Sequence, residues 1–186
     1  VLVYGVLSFG YQFEMANDRE FEMVLWEDRL DTFSLPFGEK SMLLSLSNYY
    51  QLHKVEASIG QQDGPDFPFI EISRDDNPIA QLRFDSYNEL KLVEVRLVDS
   101  TALDQYGIRV GDTYQRILDN RKEDFKNATN YHQHTYLYSS NSNISYELTG
   151  NFTMTEKMLA NIEELNLNEE QLQRCSVKSI IWSLKY

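Results

Sequence analysis

Two runs of β-branched and aromatic residues constrain the fold most: Asn143-Ile-Ser-Tyr-Glu-Leu-Thr-Gly150 and Val177-Lys-Ser-Ile-Ile-Trp-Ser-Leu184. Each reads as a strand with one buried face. The stretch between them is helical by its punctuation. Thr153-x-x-Glu156 is a capping box, in which the hydroxyl accepts a backbone N–H and the carboxylate returns the bond. Met158, Leu159, Ile162 and Leu165 then make an apolar stripe, and Asn168-x-x-Gln171 repeats the device for a second, short helix. Removing such a cap costs ~1 kcal/mol. Helices inserted between paired strands cover one face of a sheet. The fold class expected is therefore α+β, a mostly antiparallel sheet with two or three helices packed on it.

The remainder of the chain supplies more strands than helices. Phe9, Tyr11, Phe13 and Met15 alternate with Ser8, Gly10, Gln12 and Glu14; Ala16-Asn17-Asp18 follows as a turn. Phe21, Met23 and Leu25 resume the alternation, which predicts an N-terminal hairpin with one greasy face. The apolar run Val1–Phe9 also admits reading as the tail of a signal or anchor segment, but it is far short of the ~20 residues of a spanning helix. Pro36 and Gly38 open a run whose stripe is Met42, Leu43, Leu46, Tyr49 and Tyr50, a helix. Residues 51–59 read as a strand and 60–66 as a Gly-, Pro- and Asp-rich loop. A hairpin follows, with 67–73 and 79–84 flanking Arg74-Asp-Asp-Asn-Pro78, and then a strand over 90–98 with Leu92 or Val93 facing the core. Gly107-Ile-Arg-Val-Gly-Asp112 leads into a helix over 113–120.

A chain of 186 residues is one domain by the usual prior, here divided into an N-terminal hairpin extension, 1–29, and an α+β body, 30–186. Twelve Tyr and ten Phe fit a sheet-rich core, and only eight Gly argue against a loop-rich or repeat fold. The net charge of −12, from 17 basic and 29 acidic residues, has the wrong sign for nucleic acid or an anionic lipid surface. It fits solubility or attraction to a basic partner. A single cysteine, Cys175, allows no internal disulfide and, preceding a core strand, reads as a buried inert thiol.

Three segments carry a resemblance: VDSTALDQYGIRVG (98–111), NISYELTG (143–150) and VKSIIW (177–182). With their order and spacing they resemble the RpoE-regulated lipoprotein family of the bacterial envelope (YfeY-like), over roughly Leu30 to Trp182. The resemblance implies a small periplasm-facing domain, tethered by a lipid to the outer membrane or free in the periplasm. It brings no assigned activity. The sequence departs from the family in having no Cys near Val1 to bear a lipid and no Cys pair between Phe125 and Ser142.

Candidate chemistry is sparse. His132-x-His134 on a strand would put two imidazoles on one face, as a transition-metal site could use, but two ligands do not make a zinc site. Asp63/Asp66 and Asp75/Asp76 are paired carboxylates, yet neither has the alternate ligands and central Gly of a calcium loop, and both fit turns. Gly107-x-x-x-Gly111 lacks the Lys-Ser/Thr of a P-loop and the third Gly of a dinucleotide fingerprint, and Asp112 stands where a phosphate would. Asn127, Asn143 and Asn151 open glycosylation-type tripeptides, frequent by chance in a polar chain. No catalytic, cofactor or metal residue is nominated.

The expected function is a non-enzymatic binding or structural module of the envelope. Its partner would be an envelope protein, a lipid or a cell-wall component, with no nucleic acid and no membrane contact except through a lipid anchor. Two alternatives stand beside it: a hydrolase or metal-dependent enzyme assembled around His132 and His134, and an acidic immunity or inhibitor protein that binds a basic partner.

Overall fold

Two antiparallel meanders meet along one seam. In the computed structural model, which describes residues 22–37, 42–61, 66–87, 91–130, 132–150 and 165–184, the first comprises β4 (Lys54–Gly60), β5 (Phe67–Arg74), β6 (Asn77–Phe84) and β7 (Leu92–Leu97). The second comprises β9 (Phe125–Thr129), β10 (Thr135–Ser139), β11 (Ile144–Gly150) and β12 (Cys175–Ser183). β7 pairs with β12, so the eight strands run β4-β5-β6-β7-β12-β11-β10-β9 in one antiparallel sheet. A smaller sheet, β3-β2-β1-β8, joins β1 (Val24–Leu25), β2 (Arg29–Leu30) and β3 (Phe33–Ser34) to β8 (Leu103–Asp104).

Alternation sets which face is dry. Ile70, Ile72, Ala80, Leu82, Val95, Leu97, Leu137, Tyr146, Ile180 and Trp182 are all buried on one face. Three bulges adjust the pattern. At each, one residue (Ile79, Val93 or Lys178) is passed over in the pairing register. The bulge at Val93 explains why the strand over 90–98 has no single phase: Leu92 faces the core before it, Val95 and Leu97 after it. The tight turn between β5 and β6 has Asp75 and Asp76 at φ 51° and 61°, the two left-handed positions of a hairpin turn.

The helices are sparser than a sheet-covering layer. α1 (Met42–Tyr49) and α2 (Tyr114–Asn120) are short, and α3 (Glu169–Leu172) is one turn. On α1 the buried stripe is narrower than the sequence suggests: Leu46 and, just past its end, Tyr50 are buried, while Leu43 and Tyr49 are exposed. Residues 51–53 form a turn, so the strand expected from 51 begins at Lys54. α2 starts one residue later than expected because Thr113 is its cap, accepting from the Arg116 N–H. Asp112 accepts instead from the Arg109 N–H, 2.8 Å, closing the loop between Gly107 (φ 75°) and Gly111 (φ 94°). The capping box at Asn168 and Gln171 is formed, both bonds 3.0 Å. The helix expected over 153–165 falls, but for Leu165, outside the described residues, as do residues 1–21 of the expected hairpin.

A buried polar array ties the N-terminal segment to the sheet. Met23 and Leu25 are core residues, and the Glu27 carboxylate accepts from Ser142 Oγ and from the Asn143 N–H, 2.7 Å. The Trp182 indole N–H donates to the Glu27 carbonyl, 2.7 Å. Deeper in, Tyr146 Oη donates to Asp104, 2.6 Å, and accepts from the fully buried Arg121, 2.9 Å. Arg121 also lies 4.1 Å over the Tyr106 ring and pairs with Glu123. Burial first, then the Asp104 charge, drives the Tyr146 phenol far above its ordinary range, so it serves only as a neutral bridge.

A Tyr146→Phe chain should unfold in urea with an unchanged m-value and a stability lower by about 1–3 kcal/mol, since it removes one bond to each buried charge. A change near zero would show that the array contributes nothing net.

Candidate functional site

The face of the large sheet opposite the core is polar, and register dictates what lies on it. Cross-strand pairing aligns Glu71, Gln81, Arg96 and Ile181 in one row and Phe69, Arg83 and Glu94 in the next. On the other side of the seam Tyr136 stands opposite Glu147, and Glu147 opposite Ser179.

Glu147 is the centre of this face. Its side chain is only 2% exposed, although it points away from the apolar core. One oxygen accepts from Lys178 Nζ, 2.7 Å, and from His134 Nδ1, 2.7 Å. The other accepts from Arg96 Nη1 and from Ser179 Oγ, 3.1 Å. The bulge in β12 makes this possible, because it sets two residues, Lys178 and Ser179, against Glu147 alone. Burial pushes the Glu147 carboxyl up, but Lys178, His134 and Arg96 together outweigh it and hold the group at about 2. It is therefore an ionised acceptor throughout the physiological range, and Nδ1 of His134 carries the proton between them.

Arg96 carries the network across the seam, donating through Nε to Glu94, 3.1 Å; Glu94 also pairs with Arg83 at 3.4 Å. Two recesses open above the network and share His134. One, about 310 Å³, is lined by His132, His134, Glu147, Thr149, Gly150 and Lys178 among others. The other, about 370 Å³, is bordered by Phe67, Phe69, Gln81, Arg83, Glu94, Arg96 and Tyr136. The Phe67 ring packs across Gly60: a Cβ there would lie 2.3 Å from the ring, which would have to swing aside. The His134 and Tyr136 rings stack at 6.5 Å.

The two histidines are arranged otherwise than the sequence suggests. Residues 132–134 lie in the turn before β10, not on a strand, with Gln133 at φ 65° and the N–H groups of His132 and His134 both donating to Asn130 Oδ1. The rings lie 6.4 Å apart and perpendicular, and His134 turns toward Glu147. Among the described residues no group of three or more His, Cys, Asp or Glu side chains is placed to hold a metal. No hydroxyl or thiol bonds the His134 ring among them either. Asp75 and Asp76 are turn residues, Asp66 stands just before β5, and Asp63 lies outside the described residues. Cys175 is buried with its thiol raised by burial, and Sγ contacts the Gln171 carbonyl at 3.3 Å.

No protein-family model and no curated protein matches the chain. Among solved structures, the uncharacterized protein YfeY of Escherichia coli superposes with a TM-score of 0.60 at 15% identity, covering 87% of this chain and all of that one. The chain has the YfeY fold. This agrees with the YfeY-like resemblance carried by 98–111, 143–150 and 177–182, segments that form the β8 loop, β11 and β12. The YfeY likeness is one of fold and brings no activity with it.

Glu147, Arg96 and Lys178 are site residues that the sequence reading missed. One signal was present: Cys175 and Val177 are spaced by two, but the next apolar residue, Ile180, comes three after Val177, the mark of a bulge.

The Glu147 shift fixes a pH dependence. Its carboxyl is lowered on folding, so the stabilisation is complete above about pH 4.5, the unfolded value, and disappears as pH falls through about 2. Urea unfolding stepped from pH 5 to 2 should cost the wild type on the order of 3 kcal/mol more than a Glu147→Gln chain. Parallel profiles for the two chains would refute the network.

Proposed function

We propose that this protein is a non-enzymatic binding module of the bacterial envelope whose ligand seats on the polar face of the sheet, over His134 and Glu147. One observation carries the reading. The charged groups of this face are already fixed in mutual pairs, with Glu147 at their centre saturated by four donors. Such a surface is preorganised to present His134, Lys178 and Arg83 at set positions. The flanking Phe67, Phe69 and Tyr136 rings supply apolar contact beside the polar groups, the mixture that small-molecule sites use.

The envelope part of the reading rests on the family resemblance and on the fold shared with a bacterial protein. On this proposal the domain faces the periplasm, held by a lipid at the outer membrane or free. Its partner is a cell-wall component, a lipid or an envelope protein.

A second reading has one observation in its favour. A carboxylate bonded to Nδ1 is how enzymes orient a general-base imidazole, and Nε2 of His134 makes no hydrogen bond among the described residues. Among the described residues no hydroxyl or thiol bonds that ring, and no group of three or more His, Cys, Asp or Glu side chains is placed to hold a metal.

Thermal shift of the wild type and of His134→Ala against muropeptide fragments, phospholipid dispersions and zinc chloride separates the readings. A ligand at a hundred times its dissociation constant adds about 2.7 kcal/mol. The proposal expects a shift with a cell-wall or lipid probe that weakens at least tenfold in His134→Ala, and no turnover of that probe. Turnover, or a shift with zinc alone, would replace it with the enzyme reading.

A further inference from the structure

Among the described residues β4 pairs with β5 only, and Lys54 and the run Glu56 to Ile59 are exposed, so β4 is an edge of the described sheet. The far edge is covered: Thr129 of β9 bridges to Leu165, and the Asn127 side chain bonds the main chain of Leu167 at both its carbonyl and its N–H. Exposed large hydrophobic side chains concentrate at the open edge. Of seven among the described residues, five are Leu43, Leu44 and Tyr49 on α1, Leu52 in the turn after it, and Ile59 on β4. Leu44 and Ile59 are each 65% exposed and Leu52 83%. α1 packs beside β4, so these residues and the bare strand edge belong to one corner of the molecule.

Open edges are normally blunted by a proline, a bulge or inward charge. β4 has no proline, and its pairing with β5 runs without a register break from Lys54 to Gly60. Its two charges neutralise each other: Lys54 Nζ lies 2.9 Å from Glu56. An unpaired seven-residue strand beside an apolar patch is a template for another strand.

We infer that the occupant is a second copy of this chain, with β4 pairing antiparallel to β4 of its partner about a twofold axis at Ala57. Sequence and register select this arrangement. A twofold axis normal to the sheet keeps each side chain on its own face, so only registers that place a residue opposite itself are available. Centring on Glu56 sets like carboxylates directly opposite. Centring on Val55 or Ser58 leaves part of the strand unpaired. Centring on Ala57 uses all seven residues and sets Val55 opposite Ile59 on both sides of the axis. Val55, Ala57 and Ile59 lie on the core side of the sheet, opposite Ile72, Ile70 and Pro68 of β5. The dimer thus continues the sheet from one copy to the next and covers the exposed Ile59, while about six to eight main-chain hydrogen bonds close the edge. Lys54 and Glu56 stay on the polar face, each Glu56 keeping its own Lys54. Because each copy carries −12, screening of the mutual repulsion by salt strengthens the association.

Sedimentation equilibrium of the full chain, from micromolar to millimolar loading and at low and high salt, tests this. The expected result is reversible dimerisation of the 21.8 kDa chain, tighter at high salt. Ile59→Lys, at an exposed position, should weaken it at least tenfold while leaving far-UV circular dichroism unchanged. Ala57→Cys should cross-link the dimer under mild oxidation, and Ser58→Cys should not. A monomer at every concentration overturns the proposal, as does a dimer indifferent to Ile59→Lys.

Discussion

Everything in this molecule depends on the pairing of β7 with β12. Those strands are far apart in sequence, and each ends one meander that would otherwise expose a flat edge to solvent. Joined, Leu97 meets Ile180 and Val95 meets Trp182, and these four side chains are buried at the middle of the core. The closure entropy of so distant a contact is met by that burial, together with the ladder of bonds across the seam.

The same seam gives the polar face its order. Arg96 of β7 reaches over β12 to Glu147 of β11, so the ion network exists only when the two halves are in register. A carboxylate as buried as Glu147 is costly without partners, and its four donors arise from three separate segments: β7, the turn before β10, and β12. It acts as a check on the register of the strands and at the same time fixes the groups that border both recesses. Stability and presentation of the site are thus one device.

The sequence made the strands legible where alternation was unbroken, as in 144–150, and the capping box at Asn168 because its chemistry is local. It was less legible wherever a bulge intervened, since a skipped residue reverses the apparent phase, as at Val93 and Lys178. Met23 to Arg29 looked like part of an appended hairpin, yet Glu27 bonds Asn143 and Trp182, contacts that no local pattern encodes. The His132/His134 spacing suggested a strand. The side chain of Asn130 holds those residues in a turn instead, and His134 finds its carboxylate on a neighbouring strand. Ion networks of this kind are set by register, which single-sequence periodicity does not carry.

Native-state hydrogen exchange followed residue by residue tests the account most directly. If the seam unites both meanders, the ladder amides of β7 and β12, including those of Arg96 and Ile181, should exchange only through global unfolding and share the slowest rate in the protein. Slow exchange in one meander with rapid exchange in the other would show two independent units and contradict it.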